Sequence, residues 1–144
     1  MKSPENFLIM KKIMIALLAI FALSACSKDD ALQQEMNRLR GTWELKDITG
    51  GIAGTGYDAN FTHLFMTNNN RYQLLADDQA VQEGSYTLKI EEDKLVIRFQ
   101  ADAADNIPFD EFEKSVERQD NDRKLILSEP CCDLFVYNFE RTQE

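Results

Sequence analysis

Beyond residue 41 apolar and polar side chains alternate with a period of two, and no other feature constrains the fold as tightly. Successive strand residues point to opposite faces of a sheet, so this period marks strands with one buried face and one wet face. About eight such stretches occur, over 42–48, 61–67, 71–75, 82–90, 94–100, 112–118, 124–128 and 134–141. The face expected to turn inward carries Trp43 and Leu45, then Phe61, His63 and Phe65, then Tyr72 and Leu74. It continues through Tyr86, Leu88 and Ile90, Leu95, Ile97 and Phe99, Phe112 and Val116, Leu125 and Leu127, and Phe135, Tyr137 and Phe139. Successive antiparallel strands on short links predict an all-β domain, a small up-and-down barrel of about eight strands.

The links divide into two kinds. Asn68-Asn69-Asn70, Glu91-Glu92-Asp93 and Gln119-Asp120-Asn121-Asp122 are short polar turns, built from residues that tolerate left-handed backbone angles. In an up-and-down barrel these three fall at one end. The long connections 49–60 and 101–111, and the corner at Glu129-Pro130-Cys131, fall at the other. Long loops on a rigid scaffold are where binding concentrates. The expected mouth is therefore bordered by Tyr57, Asp58, Ile107, Phe109 and Cys131.

The N-terminal quarter has a different logic. Lys11-Lys12 precede the apolar run 13–22. A basic start and a short apolar stretch make a signal peptide, since a permanent span needs about 20 apolar residues. The expected start of that signal is Met10. Leu23-Ser24-Ala25-Cys26 follows and resembles the lipobox of bacterial lipoproteins. The resemblance implies cleavage before Cys26 and acylation of its thiol, with several chains giving stable anchoring. Ser27 after the cysteine implies sorting to the outer membrane. Lys28-Asp29-Asp30 resembles the acidic surface-export tag of lipoproteins in one Gram-negative phylum; a solvated charge patch capping the next helix is the alternative. These readings divide the chain into a signal peptide over 1–25, a lipidated tether with a short helix over 26–40, and a β-domain over 41–144.

The helix is expected over 31–39, with Asp29 or Asp30 as N-cap and Leu32, Met36 and Leu39 on one face, as a lid on the domain or a plain tether. Removing residues 1–25 takes away three lysines and one glutamate, which moves the formal charge from -9 to -11. An acidic surface repels phosphates, which speaks against a nucleic-acid partner.

Leu39-Arg40-Gly41-Thr42-Trp43-Glu44-Leu45 resembles the opening Gly-x-Trp motif of lipocalins and bacterial lipocalin-like domains. The aromatic alternation over 135–141, ending in Arg141, resembles their last strand. The resemblance covers about 38–142 and implies a lipocalin-like barrel in which Trp43 and Arg141 meet at the closed end. Both sit on inward parity, one opening the first strand and one ending the last, so closure brings guanidinium and indole together. The chain is shorter than full-length lipocalins and shows no long C-terminal helix. A barrel of eight strands is just wide enough to be filled by its own side chains or to hold one small ligand.

Residues with chemical potential are few. With Cys26 assigned to lipid, Cys131-Cys132 have no other partner in the chain. Neighbouring Cα atoms lie about 3.8 Å apart, short of the roughly 4.4–6.8 Å of ordinary disulfides. A vicinal bridge, two free thiols and an intermolecular bridge all remain open, and a strained bridge would be easily reduced. His63 is the only histidine, expected as a core residue. No His/Cys/carboxylate set has metal-ligand spacing, and Asp58, Asp102 and Asp105 lack the calcium-loop pattern. Glu111 and Glu113 flank Phe112 on the solvent face. Gly50-Gly51, Gly54 and Gly56 form a flexible loop with no phosphate-binding context. The expectation is a non-enzyme without metal or cofactor. Two functions fit: a barrel binding a small apolar or amphipathic ligand through the mouth, or a solid barrel presenting its loops to a partner protein in the envelope.

Overall fold

The computed structural model describes residues 27–51, 58–103, 109, 112–130 and 135–142. The chain divides into a unit of residues 1–34 and a unit of residues 35–144 that holds the barrel. Cys26, Tyr57, Asp105, Ile107, Glu111, Cys131 and Cys132 lie outside the described residues. Helix α1 spans Ser27–Leu39 and carries Asp29 and Asp30 in its first turn, where carboxylates oppose the helix dipole. It starts one turn before the expected residue 31, which makes the two aspartates first-turn residues and not caps.

Eight antiparallel strands follow: β1 Gly41–Thr49, β2 His63–Met66, β3 Arg71–Ala76, β4 Gln79–Glu91, β5 Lys94–Ala101, β6 Lys114–Gln119, β7 Lys124–Ser128 and β8 Val136–Arg141. Each pairs with its sequence neighbours, and β1 pairs with β8 to close the barrel. The chain is thus an all-β, up-and-down eight-stranded barrel of lipocalin-like architecture. The β3–β4 and β4–β5 links turn on Asp77-Asp78 and Glu92-Asp93, all with positive φ, the backbone that suits two-residue hairpins. Strand β4 begins three residues earlier than the alternation suggested, because Asp77-Asp78 turns the chain at once.

Inward parity holds for Tyr72, Leu74, Tyr86, Ile97, Phe99, Leu125, Leu127, Tyr137 and Phe139, all buried. At Gly84 the Tyr72 ring covers the bare backbone, and a Cβ there would overlap the Gln100 carbonyl oxygen. Three stretches differ from expectation. In β2, Leu64 and Met66 are buried while His63 and Phe65 take the outer face. Leu64 pairs with Trp43 and Leu74, and residues opposite each other share a face; His63, expected as a core residue, is the one polar position in His-Leu-Phe-Met and takes the outer face. In β1 a bulge between Leu45 and Asp47 resets the alternation, so Ile48 also packs on the core. In β6 the strand starts at Lys114, leaving Phe112 partly exposed and Lys114 buried. Ile90, expected inward, is exposed near the end of β4.

The turns 67–70, 92–93 and 120–123 gather at the end where β1 begins and β8 finishes. There Trp43 pairs with Arg141 across the closing seam, and the guanidinium carbon stands 4.1 Å from the indole ring centroid. The Trp43 indole N–H donates to the Leu39 carbonyl at 2.8 Å. Arg141 donates to the carbonyls of Arg38, Arg40 and Asp122, so it serves the orphan carbonyls where α1 runs out. Gly41 has φ of 122°, and a Cβ on it would lie 2.8 Å from an Arg141 nitrogen. Within the same unit Leu39 is buried and Met36 packs against the core, while Arg118 bridges Glu35 and Asp122. Burial pulls the Arg141 guanidinium below its ordinary pKa, Asp122 opposing and Arg118 adding to the shift; a guanidinium stays protonated regardless.

Candidate functional site

The opposite end of the barrel holds a buried ion pair. Lys114 opens β6 and Glu129 follows β7, one step beyond the Ser115–Ser128 pair in register. Their side chains are 0% and 1% exposed, with Nζ and Oε1 3.3 Å apart. Taking both charges out of water costs several kcal/mol per ion, which their attraction offsets only with good supporting hydrogen bonds. The supports are present. The Tyr137 hydroxyl donates to Glu129 Oε1 at 3.3 Å, and the Phe135 amide donates to Oε2 at 3.3 Å. Lys114 Nζ donates to the carbonyls of Phe109 and Phe112 at 2.5 and 3.1 Å. It also lies 4.9 Å from the Phe109 ring centroid and 5.5 Å from that of Tyr137, within cation–π range.

Phe109 is supplied by the β5–β6 connection and not by a strand, yet it is wholly buried. Its ring sits 5.4 Å from Phe61, 4.7 Å from Phe99 and 5.2 Å from Tyr137, measured between centroids. It therefore stands inside the barrel as a stopper, not at the rim of a mouth. Lys114 holds the stopper by its own backbone: one ammonium accepts the burden of two carbonyls, at Phe109 and Phe112, of a segment that leaves the ladder.

Of the mouth residues read from the sequence, Asp58 is exposed and Phe109 is interior; Tyr57, Ile107 and Cys131 are outside the described residues. Asp102 pairs with Arg71 on the surface, both Arg71 nitrogens donating to its carboxylate. That contact holds the Asp102 carboxyl below its ordinary range. His63 Nδ1 shares a 2.9 Å hydrogen bond with the Thr62 hydroxyl. Among the described residues no three His, Cys, Asp or Glu side chains gather as a metal site. A shallow surface depression of about 280 Å³ is lined by Ala80, Val81, Gln82, Glu83, Asp102 and Ala103.

Sequence reasoning missed Lys114 and Glu129. The available signal was opposite charge on inward parity in adjacent antiparallel strands: Lys114 continues the Phe112–Val116 face, and Glu129 continues Leu125 and Leu127. Comparison with protein-family models, with curated proteins and with solved structures finds no match to the chain.

Proposed function

We propose that this chain is a lipid-anchored, surface-exposed lipoprotein of a Gram-negative outer membrane whose barrel binds a small apolar or amphipathic ligand at its long-loop end. The observation that carries the binding reading is the buried Lys114–Glu129–Tyr137 cluster under a stopper drawn from a loop. Apolar residues of similar volume would fill that space at lower cost, so a charge pair there suits recognition better than packing. The anchor rests on Lys11-Lys12, the run 13–22 and Leu23-Ser24-Ala25-Cys26. The reading is non-enzymatic and uses neither cofactor nor nucleic acid: the single histidine has a threonine partner on the outer face.

Native mass spectrometry of the chain, purified from its own host without reductant, tests both parts. The expected spectrum shows acyl mass on Cys26, lost in C26A, and a small molecule that leaves on denaturation. A second reading is favoured by the rings that fill the described interior, where Tyr72, Phe99, Phe109 and Tyr137 form a continuous chain of contacts. It is a solid barrel presenting its loops to a partner protein. A spectrum without small molecule, with loop residues cross-linked to another envelope protein, supports that reading.

A further inference from the structure

The entry to β2 carries a motif that neither the ladder nor the buried cluster uses. Asp58-Ala59-Asn60-Phe61-Thr62 precedes His63, and Asn60 is the chain's one asparagine with a serine or threonine two residues on and no proline between. Asn-x-Thr is the acceptor pattern for N-linked saccharide, and it marks surface segments of exported chains. Here the fold presents it outward. Phe61 is 2% exposed, with its ring centroid 5.4 Å from that of Phe109, while Asp58, Asn60 and Thr62 are exposed. An extended chain points alternate side chains to opposite faces, so pinning Phe61 inward turns the Asn60 amide and the Thr62 hydroxyl out together. We propose that Asn60 is a saccharide-acceptor site, modified on its side-chain nitrogen by transfer from a lipid-diphosphate-linked saccharide. This rests on the export reading above, which brings the domain to the side of the membrane where such a donor is used.

In the transfer, Asn60 Nδ2 attacks the anomeric carbon of the donor sugar. The bond that forms is N–C; the bond that breaks joins that carbon to a diphosphate oxygen, which leaves with the electron pair. One amide proton passes to a base of the transferase, and nothing is oxidised or reduced. Thr62 supplies the hydroxyl of the motif, and Asp58 adds a carboxylate two residues before the acceptor for a cationic group to hold. In the finished fold the Thr62 amide donates to the Leu75 carbonyl at 2.7 Å, and the Leu45 amide donates to the Thr62 carbonyl at 2.8 Å. The Thr62 hydroxyl also donates to the Leu75 carbonyl, at 3.2 Å. The tripeptide is therefore offered to the transferase as extended chain during export, before β1 and β3 take hold of Thr62. Asn60, exposed just outside the ladder, keeps the saccharide in solvent afterwards. β2 begins at the long-loop end, so the saccharide stands beside the Phe61–Phe109 contact.

Peptide mass spectrometry of the full chain purified from its own host tests the assignment. Trypsin releases residues 47–71, which hold Asn60 and end at Arg71. The expected result is a saccharide mass on that peptide, absent from N60Q and T62V and kept in T62S, which preserves the hydroxyl. Should T62V fail to accumulate, N60Q against T62S decides, since N60Q changes only an exposed side chain. An unmodified peptide from a chain that carries acyl mass on Cys26 would overturn the site and leave the anchor reading standing. A saccharide retained in N60Q would lie on a threonine of the same peptide and overturn the site as well. Absence of both acyl mass and saccharide removes the export reading with it.

Discussion

Each end of the barrel sets a cation against aromatic rings, half-buried at one end and fully buried at the other, and the two do so to different effect. At the closed end Arg141 lies on Trp43 and donates to carbonyls of Arg38, Arg40 and Asp122. Its partners are backbone groups that a helix end and a turn leave open, so the cation completes secondary structure. At the loop end Lys114 faces a carboxylate, Glu129, and holds carbonyls of a segment outside the ladder. Its removal together with Glu129 would leave the ladder bonds of β6 and β7 in place but take a partner from the Phe109 and Phe112 carbonyls, the Phe135 amide and the Tyr137 hydroxyl. One cation finishes regular secondary structure; the other carries the cost of a buried charge to hold a loop segment.

The largest effect should come from separating the loop-end pair. E129A leaves Lys114 buried without its carboxylate and should lose about 3–5 kcal/mol in denaturant unfolding. The double variant K114M/E129L removes both charges but strips partners from the Phe109 and Phe112 carbonyls and the Tyr137 hydroxyl, and should recover part of the E129A loss without exceeding wild type. If the double variant is as unstable as E129A, the loop-end pair is as structural as Arg141 and the contrast between the ends disappears.

Two closed-end substitutions sharpen the contrast from the other side. G41A forces a left-handed φ on a residue with a Cβ and pushes it toward Arg141, for an expected loss of about 1–3 kcal/mol. R141K removes the planar fork from the indole face and should cost about 0.5–2 kcal/mol. Neither should alter ligand binding at the loop end, which calorimetry can check.

The smallest effect concerns pH. Burial pushes the Tyr86 phenol above its ordinary pKa, and its hydroxyl donates to the Thr67 carbonyl at 2.7 Å. A raised folded-state pKa contributes stability that is present below about pH 10, the ordinary phenol value, and lost as pH rises through the folded value. Alkaline unfolding monitored by circular dichroism should therefore begin later in Y86F than in wild type. Wild-type and Y86F curves of the same shape above that pH would count against it.

The closed end was more legible in the sequence than the loop end, for physical reasons. Gly41, Trp43 and Arg141 occupy strand termini, where parity and order along the chain fix neighbours without knowing any loop. The strand order and the shared end of the polar turns follow from the same periodicity. His-Leu-Phe-Met gave no parity, because every residue in it can be buried, and the buried Phe61 just before β2 pointed to the wrong face. The bulge at Lys46 is invisible to alternation. Lys114 hid for the opposite reason: a lysine within the acidic-looking stretch 110–117 reads as surface charge, and its burial depends on Glu129 across the ladder. Phe109 was recognised as a loop-end residue, but a loop's path into a barrel is set by tertiary contacts with Phe61, Phe99 and Tyr137 and not by local sequence.

Native mass spectrometry of the chain purified from its own host tests most directly whether the loop end holds a ligand while the closed end, with the Trp43 indole N–H on the Leu39 carbonyl, is frame. A small molecule that leaves on denaturation, kept in R141K and lost in K114M/E129L, is the expected result. A bare mass for the host-purified wild type, or loss of the molecule in R141K alone, would contradict it.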